Sequence, residues 1–312
     1  MNFQQIQYLL AVSELKHFER AAEKCFVTQS TLSTMISKFE DEIGIKVFDR
    51  RTKPVSITAE GDEILKQLKL IDQQVGNLNE TVKLLKGEMS GTLKIAAIPT
   101  VSPYVFPKFL KRFSAQFPDL TFEVREMNTK EMMQALKSRE LDIGIAAVPL
   151  LDKELMEIEL YNEPFVLYDC SLSKTKSPVV LDELNLENFW LLEEGHCLRT
   201  QVAKICDLEN CDINPGSNIN FKAGSIESLL HFVEMAEGQT LLPYLAGLEL
   251  STAKQKRLTP FNAPTPMRSV GLVVHQHFVK RKILNLLHQD IKKHIAPLIP
   301  NDSGKSELIS PL

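Results

Sequence analysis

Apolar residues at Ile64, Leu68, Ile71, Val75, Leu78, Val82 and Leu85 alternate steps of four and three. This is the a/d spacing of a coiled-coil seam, sustained over about three heptads. Charged and polar residues fill most of the intervening positions, so residues 59 to about 88 are predicted to form one amphipathic helix that dimerises along its seam. Gly76 lies off that seam and costs only about 1 kcal/mol against alanine. The helix divides the chain. With 312 residues, there is length for roughly two domains with separate cores, one on each side of it.

Before the helix, residues 2 to 58 read as short helices and a turn. Phe3, Ile6 and Leu10 recur at helical spacing, and Phe18, Ala21 and Ala22 open a second helix. Thr28 or Ser30 can cap a third, whose inner stripe is Leu32, Ile36, Phe39 and Ile43. Gly44 suits its C-cap. Val47 to Ile57, with Lys53-Pro54 at a turn, reads as a wing. In a helix-turn-helix the second helix enters the DNA major groove with its N-terminal side chains on base edges. Thr28, Gln29, Ser30, Thr31 and Ser33 hold those positions here. Gln29 suits adenine, and the hydroxyls serve bases or phosphates. Arg50, Arg51 and Lys53 in the wing, with Lys16, Arg20 and Lys24, suit phosphate contacts. The net charge of −4 decides nothing here, because nucleic-acid binding depends on where the positive charge sits.

After the helix, Lys86-Gly87-Glu88-Met89-Ser90-Gly91 reads as a hinge, and strands then alternate with helices. Strands are predicted at 93–98, 120–124 and 141–148, and helices at 103–113 and 129–136, the second capped by Thr129. Such βαβ units imply a mostly parallel sheet covered on both faces. A strand from Pro164 to Tyr168 crosses to a second lobe. Ser225 starts a helix, 239–242 is a short strand, and 270–274 returns to the first lobe before a last helix at 278–294. Residues 301–312 are expected to be disordered. The fold class is therefore α/β with a winged helix-turn-helix head at 1–58 and a linker helix at 59–90. A two-lobed regulatory body follows at 91–300, with lobe I at 91–164 and 268–300 and lobe II at 165–267.

No apolar run reaches the roughly 18 residues of a membrane span, and Met1 to Gln5 lack a secretory pattern. A cytoplasmic protein without a membrane partner is expected. Cysteines 25, 170, 197, 206 and 211 should rest reduced there, and any disulfide should be transient or redox-sensing. Cys25 and Cys170 are expected to be buried. In Gly195-His196-Cys197-Leu198-Arg199, positive charge from His196 and Arg199 can lower the pKa of the thiol between them. A sulfenic acid formed there can be resolved by a second cysteine nearby. The cysteines lack the short CxxC spacing of structural zinc, and no metal or cofactor is expected. His275 and His277, on one face of a strand, do not alter that expectation.

The segment Phe18-Glu19-Arg20-Ala21-Ala22, Thr28-Gln29-Ser30-Thr31-Leu32-Ser33, Ile36, Phe39-Glu40, Gly44, Val47-Phe48-Asp49-Arg50, Thr58 and Gly61 resembles the N-terminal motif of LysR-type transcriptional regulators. It departs from that motif at Ser30, where proline is common, and at Cys25, where a larger aliphatic residue is usual. The resemblance implies a dimerising linker and a two-lobed effector domain like that of periplasmic binding proteins. Glu194 to Arg199, with Gln201 and Cys206, is similar to the redox segment of the OxyR-type peroxide-sensing branch. So are Gly224 to Leu229, Gly238 to Pro243 and Arg268 to Val273. By resemblance, Cys197 is the peroxidatic thiol and Cys206 its resolving partner. His196, Thr100 and Thr129 line the peroxide pocket, and Arg268 lowers the thiol pKa. Cys211 remains open as a competing resolver.

A helical residue rises about 1.5 Å, so the nine steps from Cys197 to Cys206 would span about 13 Å, against the roughly 4.4 to 6.8 Å that a disulfide needs. If the segment is helical when reduced, it must refold to close the bond. The implied function is a DNA-binding regulator responding to hydrogen peroxide, not an enzyme. Its partners would be double-stranded DNA, a homodimer or homotetramer, and RNA polymerase. The alternatives are a regulator of a small organic effector with incidental cysteines, and a thiol peroxidase.

Overall fold

The computed structural model describes residues 1–85, 90–171, 178–181, 184, 186–207, 221–300 and 306–312. It divides into two compact units, Met1–Glu88 and Met89–Leu312. Cys211 and most of the predicted hinge fall outside the described residues.

In the first unit, α1 spans Phe3–Leu15, α2 Phe18–Lys24 and α3 Gln29–Ile43. Asn2 and Gln5 close a capping box on α1, and Thr28 caps α3. Gly44 ends α3 at φ +71°, a left-handed conformation that costs glycine little. The inner face of α1 is Ile6, Leu9 and Val12, while Phe3 is exposed. Leu32, Ile36 and Phe39 are buried as predicted, and Ile43 packs at the margin. Strands β1 (Phe48–Asp49) and β2 (Ser56–Ile57) pair antiparallel as the wing. The long helix α4 runs Ala59–Leu85. Leu65 and Leu68 on it belong to the core of this unit, whereas Ile71, Leu78 and Val82 on the later seam are exposed. A Cβ on Gly61 would meet the Val47 carbonyl oxygen at 2.3 Å, so only glycine lets α4 start this close to the wing.

One carboxylate that motif reading left without a role organises the head. Glu40 is buried, and its Oε1 accepts hydrogen bonds from the backbone N–H groups of Val47 (2.9 Å) and Phe48 (3.2 Å). Its Oε2 lies 3.5 Å from Lys46 and 3.6 Å from Arg50. It thereby fastens the end of α3 to the first wing strand.

The second unit is built on β3 (Gly91–Ala97), β4 (Leu120–Glu126), β5 (Ile143–Val148), β6 (Leu155–Asp169), β7 (Gln239–Pro243), β8 (Leu258–Pro260), β9 (Thr265–His275) and β10 (Ser306–Leu308). Its helices are α5 (Ser102–Ser114), α6 (Thr129–Lys137), α7 (Cys197–Ile205), α8 (Ile226–Met235), α9 (Tyr244–Leu248), α10 (Thr252–Gln255) and α11 (Arg281–Ile295). Sheet order is β4-β3-β5-β9-β6-β7. Only β3, β4 and β5, with β10 on β9, pair in parallel; β9 and β6 join antiparallel. The sheet is therefore mixed, not mostly parallel. The expected strand at Pro164 is the second half of the 15-residue β6, which begins at Leu155. The Leu155–Pro164 half pairs with β9, and the Phe165–Asp169 half with β7 and β8. Two hydrophobic cores form around these halves.

For residues 306–312 the expectation of disorder is corrected; 301–305 lie outside the described residues. Strand β10 pairs with Thr265–Met267 of β9. The antiparallel partner β5 stops at Ser269, so β10 takes the edge of β9 that β5 leaves uncovered, satisfying backbone groups that would otherwise be exposed.

Replacing Glu40 by alanine strips two buried N–H groups of their acceptor and should destabilise the head by about 2–4 kcal/mol. Urea-dependent amide exchange in α3 measures this, and unchanged protection there would contradict the organising role of the carboxylate.

Candidate redox site and nucleic-acid surface

Helix α7 carries one thiol at each end. Gly195 precedes it at φ +98°, His196 is its N-cap in extended backbone, and Cys197 is its first residue. Cys206 is the C-cap, and the intervening residues are helical. Cys197 is buried in the first core, while Leu198, Val202 and Cys206 are buried in the second. All four described cysteines, 25, 170, 197 and 206, are free thiols. Cys25 and Cys170 are only half-buried, and the Cys170 sulfur accepts a hydrogen bond from Arg257 Nη1 at 2.9 Å.

Behind Cys197 lies a charge that sequence reading identified and a partner that it missed. Arg268 on β9 is 1 % exposed and Glu163 on β6 is fully buried. Arg268 donates from Nε (2.9 Å) and Nη2 (2.7 Å) to Glu163 Oε1. Its Nη1 donates to Thr100 Oγ1 at 3.1 Å, and its Nη2 to the Thr100 carbonyl at 3.0 Å. Glu163 Oε2 accepts from the backbone N–H of Leu245 on α9 at 3.0 Å. A guanidinium has five N–H donors; these four bonds leave one Nη1 hydrogen. Glu163 sits in the turnover region of β6, where it passes from one core to the other. The adjacent Asn162-Glu163-Pro164 offers no periodic signal, so only the pairing of β6 with β9 reveals the contact.

Thr129 does not cap α6. Asn128 does, accepting from the Glu131 N–H, which leaves the Thr129 hydroxyl for the site. Its Oγ1 is buried and lacks a well-formed hydrogen bond, yet it is near enough to the Cys197 sulfur to favour the thiolate. The side chain of Arg199 turns back to donate to the Leu192 carbonyl at 2.9 Å, and His196 makes no side-chain cap.

Burial pushes the Cys197 pKa up, and this outweighs Arg268, the Thr129 hydroxyl and the N–H groups of Leu198 and Cys197, which all pull it down. In this state the thiol is held protonated, contrary to the expectation of a lowered pKa. Burial also pushes Cys206 up, to about 12. A cavity of about 410 Å³ opens in front of Cys197, lined among others by Thr129, Met133, Lys137, His196, Pro311 and Leu312. Thr100 and Arg268 are not on its wall; they lie buried. Among the described residues no cluster of His, Cys, Asp and Glu is arranged to hold a metal ion. The rings of His275 and His277 lie 5.5 Å apart.

On the head, Gln29, Ser30 and Thr31 are exposed at the start of α3. Thr28 Oγ1 lies 2.9 Å from both the Ser30 and Thr31 hydroxyls. Arg50 is exposed but tethered. It donates to Ser33 Oγ (2.8 Å) and Ser37 Oγ (3.0 Å) and stacks 4.8 Å over the Phe18 ring. Arg51 pairs with Asp49 at 3.0 Å, and Lys53 is exposed.

A winged helix-turn-helix head followed by a two-core α/β body with a buried thiol defines a class of bacterial gene regulators. Residues 3–62 match the bacterial regulatory helix-turn-helix model of the LysR family, and residues 86–296 match the LysR substrate binding domain. The chain belongs to the LysR family, in its OxyR-type branch. It is 34 % identical over 278 residues to a hydrogen peroxide-inducible genes activator of Haemophilus influenzae, covering 88 % of this chain and 90 % of that protein. It is 34 % identical over 275 residues to the DNA-binding transcriptional dual regulator OxyR of Escherichia coli, covering 88 % and 89 %. Full-length OxyR from Pseudomonas aeruginosa superposes with a TM-score of 0.72 at 29 % identity, covering 94 % of this chain and 98 % of that one.

Arg268→Met should destabilise the second unit by about 3–5 kcal/mol, because Glu163 is left as an uncompensated buried charge. Adding Glu163→Leu should restore most of the loss. A double-mutant cycle by urea denaturation checks this, and additive losses would refute the coupling. Alkaline stability follows from Cys206. Its pKa rises from 9.0 to about 12 on folding, so the unfolded chain ionises first. The contribution of this thiol to stability is therefore level below pH 9 and falls as pH rises from 9 towards 12. Cys206→Ala should flatten that decline in urea titrations across this range.

Proposed function

We propose that this chain is a DNA-binding transcription regulator, not an enzyme, and that hydrogen peroxide controls it through Cys197. The observation that carries this reading is a buried thiol at a helix N-terminus, with Arg268 and Thr129 favouring its anion. The Cys197 thiolate attacks one peroxide oxygen and the O–O bond breaks. Cys197 becomes a sulfenic acid, and the leaving hydroxide takes a proton to become water. The proton given up when Cys197 ionises goes to that leaving oxygen, while the buried charge of Arg268 favours the thiolate and Thr129 steadies the sulfur. Ionisation of a minor thiolate population feeds the step, because only the thiolate is nucleophilic. Cys206, as its thiolate, then attacks the Cys197 sulfur, an S–S bond forms, and the sulfenic oxygen leaves as hydroxide that takes up the proton Cys206 released. His196 and Thr100 complete the peroxide pocket in this reading, Thr100 by orienting Arg268.

In the same reading, residues 1–58 read DNA, 59–90 link copies and 91–300 sense. Gln29, Ser30 and Thr31 face bases or phosphates. Thr28 and Ser33 shape the helix start, and Arg51 and Lys53 meet the backbone; Arg50 braces the wing against α3. The exposed Ile71, Leu78 and Val82 form the dimer seam, since an unpaired apolar stripe on a helix needs a partner. Homodimers pairing into tetramers on a partly symmetric operator, contact with RNA polymerase, and a cytoplasmic location follow from this role. No described helix is long and apolar enough to cross a membrane.

Cys197→Ser should leave operator binding intact while abolishing peroxide-dependent transcription in a reconstituted assay. A normal peroxide response in that variant would sink the proposal.

A further inference from the structure

The segment Ser306–Leu312 makes contacts that a trailing end would not make. Its strand β10 is anchored on Thr265–Met267, and the Ile309 N–H donates to the Met267 carbonyl at 2.8 Å, one residue before Arg268. From that anchor it reaches α7 at two places. The amide Nε2 of the fully buried Gln201 donates to the Ile309 carbonyl at 2.8 Å. Lys204 Nζ donates to the Leu312 carbonyl oxygen. The Ile309 side chain packs on the second core, and Pro311 is buried. Pro311 and Leu312 also line the cavity in front of Cys197.

Gln201 and Lys204 both lie between the two thiols. An intact helix holds those thiols about 13 Å apart, and a disulfide needs Cα atoms within about 7 Å, so the turns that carry Gln201 and Lys204 must unwind. We infer that Ser306–Leu312 is a clamp on the redox helix: it holds α7 in its reduced, helical form and must let go before Cys206 can reach Cys197. The clamp sets the threshold of the switch, because every bond it makes to α7 exists only while the helix is intact. Gln201 supports this most directly. Among the described residues its amide Nε2 bonds to the carbonyl the clamp provides, and its Oε1 is unpartnered. An amide buried at the middle of α7 is thus satisfied from outside the helix. The consequence for peroxide signalling rests on the function proposed above; the effect on the helix does not.

The test compares the full chain with two variants, one lacking residues 306–312 and one carrying Ile309→Asp at full length, which keeps the chain but removes its packing. In the reduced proteins, hydrogen exchange of the α7 amides should quicken about tenfold in both variants, as expected when two hydrogen bonds of ordinary net strength are lost. Exchange in α5 should be unchanged. Equal α7 exchange in all three proteins would overturn the clamp. After a peroxide pulse, quenched and alkylated samples read by mass spectrometry should show the Cys197–Cys206 disulfide forming about tenfold faster in the variants. In a Cys206→Ser background, oxidation of Cys197 itself should change by no more than about twofold, the scale of a surface effect. A looser helix with no faster disulfide would overturn the clamp as a control of the switch. If the wild-type chain forms no disulfide with peroxide, the proposed function fails, and the exchange data still decide whether the clamp holds.

Discussion

The buried pair of Glu163 and Arg268 is the interaction on which the second unit depends. Neither charge can exist alone in that core, since an unpaired buried ion costs several kcal/mol. Together they fix where β6 lies against β9, at the point where β6 leaves one core for the other. The pair also ties in Thr100 after β3 and the N–H of Leu245 on α9. The same bonds orient the guanidinium, so the strand that divides the cores also places the cation within electrostatic reach of Cys197. Burial nevertheless outweighs that cation in setting the state of the Cys197 sulfur.

Separation of the thiols is the complementary constraint. Cys197 sits in one core and Cys206 in the other, with α7 as a spacer between them. Each side chain stabilises the reduced fold as a small apolar group. Joining them must pull at least one out of its core and undo helical turns. Such an event biases a bistable element instead of adding a passive crosslink. Residues Ile309 and Leu312, which accept hydrogen bonds from Gln201 and Lys204 of that helix, would lose those bonds in the rearrangement.

A related logic operates in the head. Glu40 holds the first wing strand through two backbone N–H groups, and Arg50 is locked by Ser33, Ser37 and Phe18. A side chain held at three points adds rigidity to the wing. Gln29, Ser30 and Thr31 at the start of α3 remain exposed.

Much of this was legible in residues alone. Heptad spacing from Ile64 to Leu85 marked α4; Thr28 and Gly44 marked the ends of α3; Ser225 marked the start of α8, because caps and periodicity are local properties of the chain. Cys197, Cys206, Thr129 and Arg268 were visible through motif likeness. What local pattern could not decide was every matter of partnership. Asn128 and not Thr129 caps α6, since both residue types can cap and only packing chooses. Arg199 turns away from Cys197 although it is two residues distant, while Arg268, remote in sequence, lies beside it. Strand β6 runs on from Leu155 because β9 supplies its hydrogen bonds. Ser306–Leu308, polar and short, became a strand because an edge of β9 was vacant. Chain-local physics determined the elements and the reactive groups. Tertiary structure alone decided which charge faces the sulfur and how strongly, because fields, burial and strand edges depend on distances that sequence separation does not encode.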